Sequence, residues 1–181
     1  MNKIEKMVRY TNTQTGETCE KKSYVTAIFD DELGLLAWPN KKSIKTYIDD
    51  RLPDEFTWAE KGRIEELKHY ILRDNQFLVY RSGNVIKPIE AQQLQNIFGL
   101  SQDRARKLIK KLKHFSIIKE VNFNNLVYYS FNPIYGFKDK RITLTLYLIF
   151  QEELKDRISP YDRSRFIQQA AELKPMVTII K

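Results

Sequence analysis

The sequence predicts an α+β fold with a helical centre flanked by antiparallel hairpins. Three observations predict it. Apolar residues recur at helical spacing in three mid-chain segments. Alternating, β-rich runs lie on both sides of them. Ten Lys/Arg against three Asp/Glu fall within residues 101–141, so that block carries +7 of the chain's formal +8. At 181 residues, 42% hydrophobic and 30% charged, the chain is expected to form one domain or a small pair and to need no disulfide or metal to fold.

The elements follow in order. Residues 4–11 and 18–29 alternate as two strands, with the polar run NTQTGE between them and Gly16 free to take positive φ, hence an N-terminal hairpin. Residues 31–56 hold Pro39 and Pro53 and predict short irregular or helical pieces. Thr57 is an N-cap candidate with Glu60 at capping-box spacing, and Ile64, Leu67, Ile71 and Leu72 continue a helix over 57–73. QFLVYRSGNVIKPI reads as two short strands around Ser82-Gly83-Asn84. A short helix from Ile89 to Phe98 puts Leu94, Ile97 and Phe98 on one side, and Gly99-Leu100-Ser101 breaks it.

Ser101 can cap the next helix, 101–114, and Asp103 in its first turn suits the helix dipole. Ala105, Leu108, Ile109 and Leu112 form its apolar stripe. Residues 117–131 predict a hairpin jointed at Asn122–Asn125 and ended by Asn132-Pro133. In RITLTLYLIFQEELKDRI the first half, rich in Thr, Leu and Tyr, could be a strand and the second half is helical; one helix, apolar nearly all round and therefore buried, is the favoured expectation. Ser159-Pro160 opens a last helix to about Leu173, and MVTIIK is an apolar tail without an assigned use.

Helix, strand pair, helix, Gly-Leu-Ser turn, helix and hairpin make the order of a winged helix-turn-helix. The expected organisation is an N-terminal hairpin extension over 1–56, the winged helix-turn-helix over 57–135, and two C-terminal helices over 136–181. The C-terminal helices and the apolar run 144–150 are the expected homodimer surface.

The chemistry of the 101–114 helix points to double-stranded DNA. Gln102, Asp103, Arg106, Lys107, Lys110 and Lys113 fall on or beside the face opposite the apolar stripe, and Ser101, Arg104 and Lys111 join them in the expected DNA-binding set. A guanidinium such as Arg106 can fork onto guanine, and an amide such as Gln102 onto adenine. Lysines suit phosphates as flexible point charges. In the hairpin, Lys119, Asn122, Asn124 and Asn125 are cationic or small polar groups suited to phosphate or a minor groove. Tyr128, Tyr129 and Phe131 are expected to pack the hairpin rather than stack on bases. The plain alternative is a solvated lysine-rich face on an interaction adaptor that binds no DNA.

Other chemistries find little footing. His69 and His114 lie far apart without spaced partners, so no metal site is expected. Cys19 is the single cysteine, which excludes an internal disulfide framework and leaves a nucleophile without a nearby histidine. The adjacent pairs Asp30-Asp31 and Asp49-Asp50 are expected to be solvated loop charges. No phosphate-cradling glycine pattern exists. No enzyme activity and no cofactor are expected. The longest apolar runs, such as Leu144 to Phe150, fall far short of the roughly 20 residues of a membrane span. MNKIEKMVRY lacks a secretory h-region, so a cytoplasmic location is expected.

The TQTGE turn, RDNQFLVYRSG, FGLSQDRARKLIKKLKHFSIIKE and YYSFNPIYGFKDKRITLTLYLIFQEEL, spread over residues 5–155, together resemble the winged-helix replication proteins of Gram-positive plasmids and phages, the RepL-like initiators. The resemblance implies duplex binding at an origin or operator in a bacterial host, with Ser101 to Lys111 reading bases and Asn122 to Asn125 as the wing. It implies no catalysis, and action beside host replication proteins. The same architecture serves phage and plasmid transcription regulators, which act with host transcription proteins.

Overall fold

The computed structural model describes residues 3–11, 18–26, 29–30, 34–36, 51–73, 75–139, 141–173 and 177–180. The turn containing Gly16, most of the 31–56 stretch (including Asp31, Pro39 and the Asp49-Asp50 pair) and the Cys19 side chain lie outside what is described. Helices and antiparallel sheets make the chain α+β.

Strands β1 (Lys3–Thr11) and β2 (Thr18–Thr26) pair antiparallel, Lys3 opposite Thr26, as the alternation predicts. Within 31–56, where irregular or helical pieces were expected, a strand forms instead. β3 (Phe29–Asp30), β4 (Gly34–Leu36) and β9 (Arg141–Ile142) make a three-stranded antiparallel sheet. Gly34 permits it: its φ is +83°, and a Cβ there would strike the Ile142 carbonyl oxygen. The Arg141 guanidinium donates to the Gly34 carbonyl at 2.7 Å, a buried contact between distant parts of the chain.

Helix α1 (Trp58–Leu67) starts at the capping box: Thr57 Oγ1 accepts from the Glu60 N–H at 3.3 Å, and Glu60 Oε2 accepts from the Thr57 N–H at 2.8 Å. It ends sooner than the periodicity predicts. A 3-10 turn covers Lys68–Tyr70, then Ile71 turns extended and bridges Leu78. The two-stranded ribbon β5 (Val79–Ser82) and β6 (Val85–Pro88) turns at Gly83-Asn84, with Gly83 at φ +62°. Helix α2 (Ala91–Phe98) ends on Gly99, left-handed at φ +61°, the conformation that stops a helix and re-aims the chain. Helix α3 (Gln102–His114) follows; Ser101 has the extended cap conformation, but its side chain makes no cap hydrogen bond.

Strands β7 (Ile118–Phe123) and β8 (Leu126–Phe131) form the expected hairpin with a narrower joint. Asn124 and Asn125 alone make the turn, at φ +51° and +63°, the double left-handed geometry that matches strand twist in two-residue hairpins. Asn132 locks its exit: its side-chain amide donates to the Ser116 carbonyl and its Oδ1 accepts from the Ile134 N–H.

The 141–158 segment corrects the single-helix expectation. Arg141–Ile142 is drawn into a sheet, Thr143 caps α4 (Leu144–Ile149), and Phe150, at φ −119°, separates α4 from α5 (Gln151–Leu154). The Ile149 carbonyl at this break accepts from the Lys119 ammonium at 3.0 Å. Helix α6 (Pro160–Leu173) begins where predicted, with Ser159 Oγ accepting from the Asp162 N–H. The apolar tail proves to be strand β10 (Val177–Ile180), antiparallel to β7, giving the sheet order β10-β7-β8.

That sheet has a core on each face. Ile64, Leu67, Leu94, Leu108, Leu112, Ile118 and Phe131 belong to the first, with α1, α2 and α3. Val121, Phe137, Leu146, Phe150, Leu154 and Phe166 belong to the second, with α4, α5 and α6. Strand alternation sorts the wall: Leu78, Tyr80 and Tyr129 go to the first core, and Phe77, Val79 and Tyr128 to the second. The 144–150 run is therefore not a dimer surface, because Leu146, Tyr147, Ile149 and Phe150 are buried inside the second core. Among the described residues no helix is long and apolar enough to cross a membrane.

Leu112→Ala in the first core should cost about 2–5 kcal/mol and Phe166→Ala in the second about 3–5 kcal/mol. Both should act on a single urea transition because the cores share one wall. Two separated transitions, each moved by one variant, would show the cores to be independent.

Candidate nucleic-acid interface

Helix α3 is amphipathic by construction. Ala105, Leu108, Ile109 and Leu112 are all buried, as the stripe predicts. The left-handed Gly99 lets α2 and α3 meet across a short turn, and half-buried Leu100 packs against the first core. Gln102, Asp103, Arg104, Arg106, Lys107 and Lys110 are left exposed. Arg104, Arg106, Lys107 and Lys110 have no ion-pair partner among the described residues. Four cations on this surface face one carboxylate, Asp103.

Three other cations of the basic block are engaged in ion pairs. Lys111 turns toward α1, donating to Glu60 at 2.8 Å and to the Glu55 carbonyl at 2.7 Å, with its ammonium 4.6 Å from the Phe56 ring centroid. Lys113 pairs with Glu120 of β7 at 2.8 Å. Lys119 is not at the hairpin tip: it lies opposite Ser130, pairs with Glu153 at 2.8 Å and stands over the Phe150 ring. These three lysines join elements of the fold, a correction to their sequence-based placement on the DNA-facing surface.

Asn122, Asn124 and Asn125 are exposed on the hairpin, Asn122 as a strand residue between Val127 and Thr178. The apolar Leu126 and Val127 beside them are about half exposed, a feature sequence reasoning missed because they read as strand packing. The aromatic residues do pack. Tyr128 stacks on Phe77 with centroids 4.5 Å apart, and Tyr129 and Phe131 are buried. Burial, and secondarily Glu120, pushes the Tyr129 phenol above its ordinary value. His114 is exposed and sets its ring edge-on to Phe115.

A shallow crevice of about 240 Å³ runs between α2 and α3 and is lined by Gln92, Gln95, Gln102 and Arg106, among others. Sequence reasoning singled out Gln102 and Arg106 but not Gln92 and Gln95. Their i, i+3 spacing on α2 was the available signal, and the Gln92 amide donates to Gln95 at 3.2 Å. The crevice gathers three amides and a guanidinium, the groups that make paired hydrogen bonds to base edges. Among the described residues no group of three or more His, Cys, Asp or Glu could hold a metal ion.

Compared with family models, with curated proteins and with solved structures, the chain matches none.

The seating of α3 against α1 is pH-sensitive at Glu60. Burial alone would raise this carboxyl. The Lys111 ammonium and the Thr57 N–H and hydroxyl outweigh it and hold the group below its ordinary value. A depressed carboxylate contributes stability that is complete above its unfolded-state value and lost as pH falls through the folded one. Glu60→Gln should therefore lower the urea midpoint at neutral pH and flatten its fall in acid. Parallel acid limbs for variant and wild type would remove Glu60 from the account.

Proposed function

We propose that this protein is a sequence-specific double-stranded DNA-binding protein of winged helix-turn-helix design, acting in plasmid- or phage-type replication initiation or maintenance. One observation carries the DNA reading: α3 keeps four cations on its outer face that have no ion-pair partner among the described residues, while Lys111, Lys113 and Lys119 from the same basic block are ion-paired within the fold. A merely solvated lysine-rich helix has no need of this sorting.

The element order supports the same reading. Helix α1, the extended stretch 77–78 paired to β8, helices α2 and α3 and the β7–β8 hairpin come in an order compatible with a winged helix-turn-helix, with the β5–β6 ribbon before α2. In this mechanism α3 enters the major groove. Arg106 and Gln102, beside the α2 crevice, read base edges, and Arg104, Lys107 and Lys110 hold phosphates. The Asn124-Asn125 turn reaches the flanking backbone or minor groove.

The replication role rests on the resemblance described above; a transcriptional regulator would use the same contacts. Selection from a random duplex library at two salt concentrations tests the proposal. An enriched motif is expected, and a palindrome with half-sites about 34 Å apart would show two copies acting together. Location of the recovered site at an origin would favour replication, and at a promoter regulation. No enrichment even at low salt would favour the adaptor alternative.

Within the site, Arg106→Ala should cost about 1–3 kcal/mol on the selected duplex and relax base preference at one position. Lys110→Ala should weaken all duplexes alike and reduce the salt slope by about one. Equal losses on selected and random DNA for both variants would sink this division of labour.

A further inference from the structure

A second basic surface lies away from α3. The 3-10 turn after α1, residues 71–73, the β5–β6 ribbon and Lys138 line an open cleft of about 670 Å³, within the range of small-ligand sites. Its chemistry comes from His69, Tyr70, Arg73, Tyr80, Arg81 and Lys138, and among the described residues no lining residue is acidic. None of these residues belongs to α3 or to the β7–β8 hairpin.

We propose that this cleft binds a nucleotide unit, its phosphate held by Arg73, Arg81 and Lys138 and its base set against Tyr70 and Tyr80. The unit can come from a single strand of nucleic acid or from a free nucleotide.

The charges favour an anion. Arg73 and Arg81 are exposed, and neither has an ion-pair partner among the described residues. Lys138 is half-buried and donates to the His69 carbonyl at 3.3 Å, which fixes its ammonium at the cleft without neutralising it. Burial first, and the Arg73 guanidinium second, lower the Lys138 ammonium from its ordinary value. Like charges thus converge on one cavity, and the negative charge of a bound phosphate would offset their repulsion. Forked guanidinium groups match phosphate oxygens two at a time.

The walls favour a base. Tyr70 and Tyr80 pack one side against the first core, so their rings are placed before any ligand arrives. Aromatic platforms beside a cationic groove are the general means of holding unstacked bases, whatever their sequence. A duplex keeps its bases stacked and has none to insert, so this cleft and the α3 face take different forms of nucleic acid. The inference stands independently of duplex binding.

The test uses the full chain and two probes: a labelled oligothymidylate strand followed by fluorescence anisotropy, and thymidine monophosphate followed by calorimetry. The double variant Arg73→Ala/Arg81→Ala changes exposed residues, and circular dichroism checks its fold. It should lose affinity for the bound probe by about tenfold or more, while its affinity for duplex DNA stays that of the wild type. Binding of the strand far above the mononucleotide identifies a strand as the source, and comparable binding identifies a free nucleotide. The proposal is overturned if the wild type binds neither probe, if the double variant binds as the wild type does, or if it loses duplex and strand together. The last result would make the cleft an extension of the duplex interface.

Discussion

The short stretch of residues 76–78, left-handed at Gln76 and extended at Phe77 and Leu78, holds the structure together. The Gln76 carbonyl accepts from the Phe131 N–H and the Leu78 N–H donates to the Tyr129 carbonyl, both at 2.8 Å. The Leu78 carbonyl accepts from the Ile89 N–H, so the start of α2 hangs from the same three residues. Ser130 adds a hydroxyl bond to the Asn75 carbonyl. Because successive strand residues face opposite ways, Leu78 enters one core and Phe77 the other. The backbone geometry here sets where α2 lies against the hairpin, and through Gly99 which side of α3 turns outward.

Electrostatics then divides the basic block. Partly exposed ion pairs such as Lys113–Glu120 each contribute about 1 kcal/mol at most. Their larger effect is to take Lys111, Lys113 and Lys119 out of the outward field and to join α3 to α1, α3 to β7, and β7 to α5. The remaining cations of α3 lie on one side of one helix. A polyanion meeting them releases counterions without first breaking an internal pair. Net charge alone conveys none of this, since it counts paired and unpaired lysines equally.

Features set by neighbouring residues were legible in the sequence. The Thr57-Glu60 box, the Ala105–Leu112 stripe, the Gly99 stop and the Asn-rich hairpin turn each need only a few adjacent positions, and each is where the pattern puts it. Features that depend on distant partners were not. The tail at 177–180 is a strand because β7 lies beside it, which no local pattern records. The 141–158 segment looks like one helix until β4, admitted by Gly34, pairs with Arg141–Ile142 and Lys119 takes the Ile149 carbonyl. The basic cleft was hidden for a related reason. Arg73 and Arg81 come from a stretch that is nearly neutral overall, and Lys138 joins them only through the fold.

The two-faced wall also bears on how the chain is made. Synthesis runs from the N-terminus, and α1 through β8 contains every strand and helix of the first core. That half can begin to assemble while residues 136–173 are still being added. During that interval Phe77, Val121, Phe123 and Tyr128 form an apolar face with nothing yet against it, and β7 has a bare edge until β10 emerges. The nascent chain is thus most prone to sticking to its neighbours just after the hairpin leaves the ribosome, and a chain arrested near residue 135 would retain that adhesive face permanently.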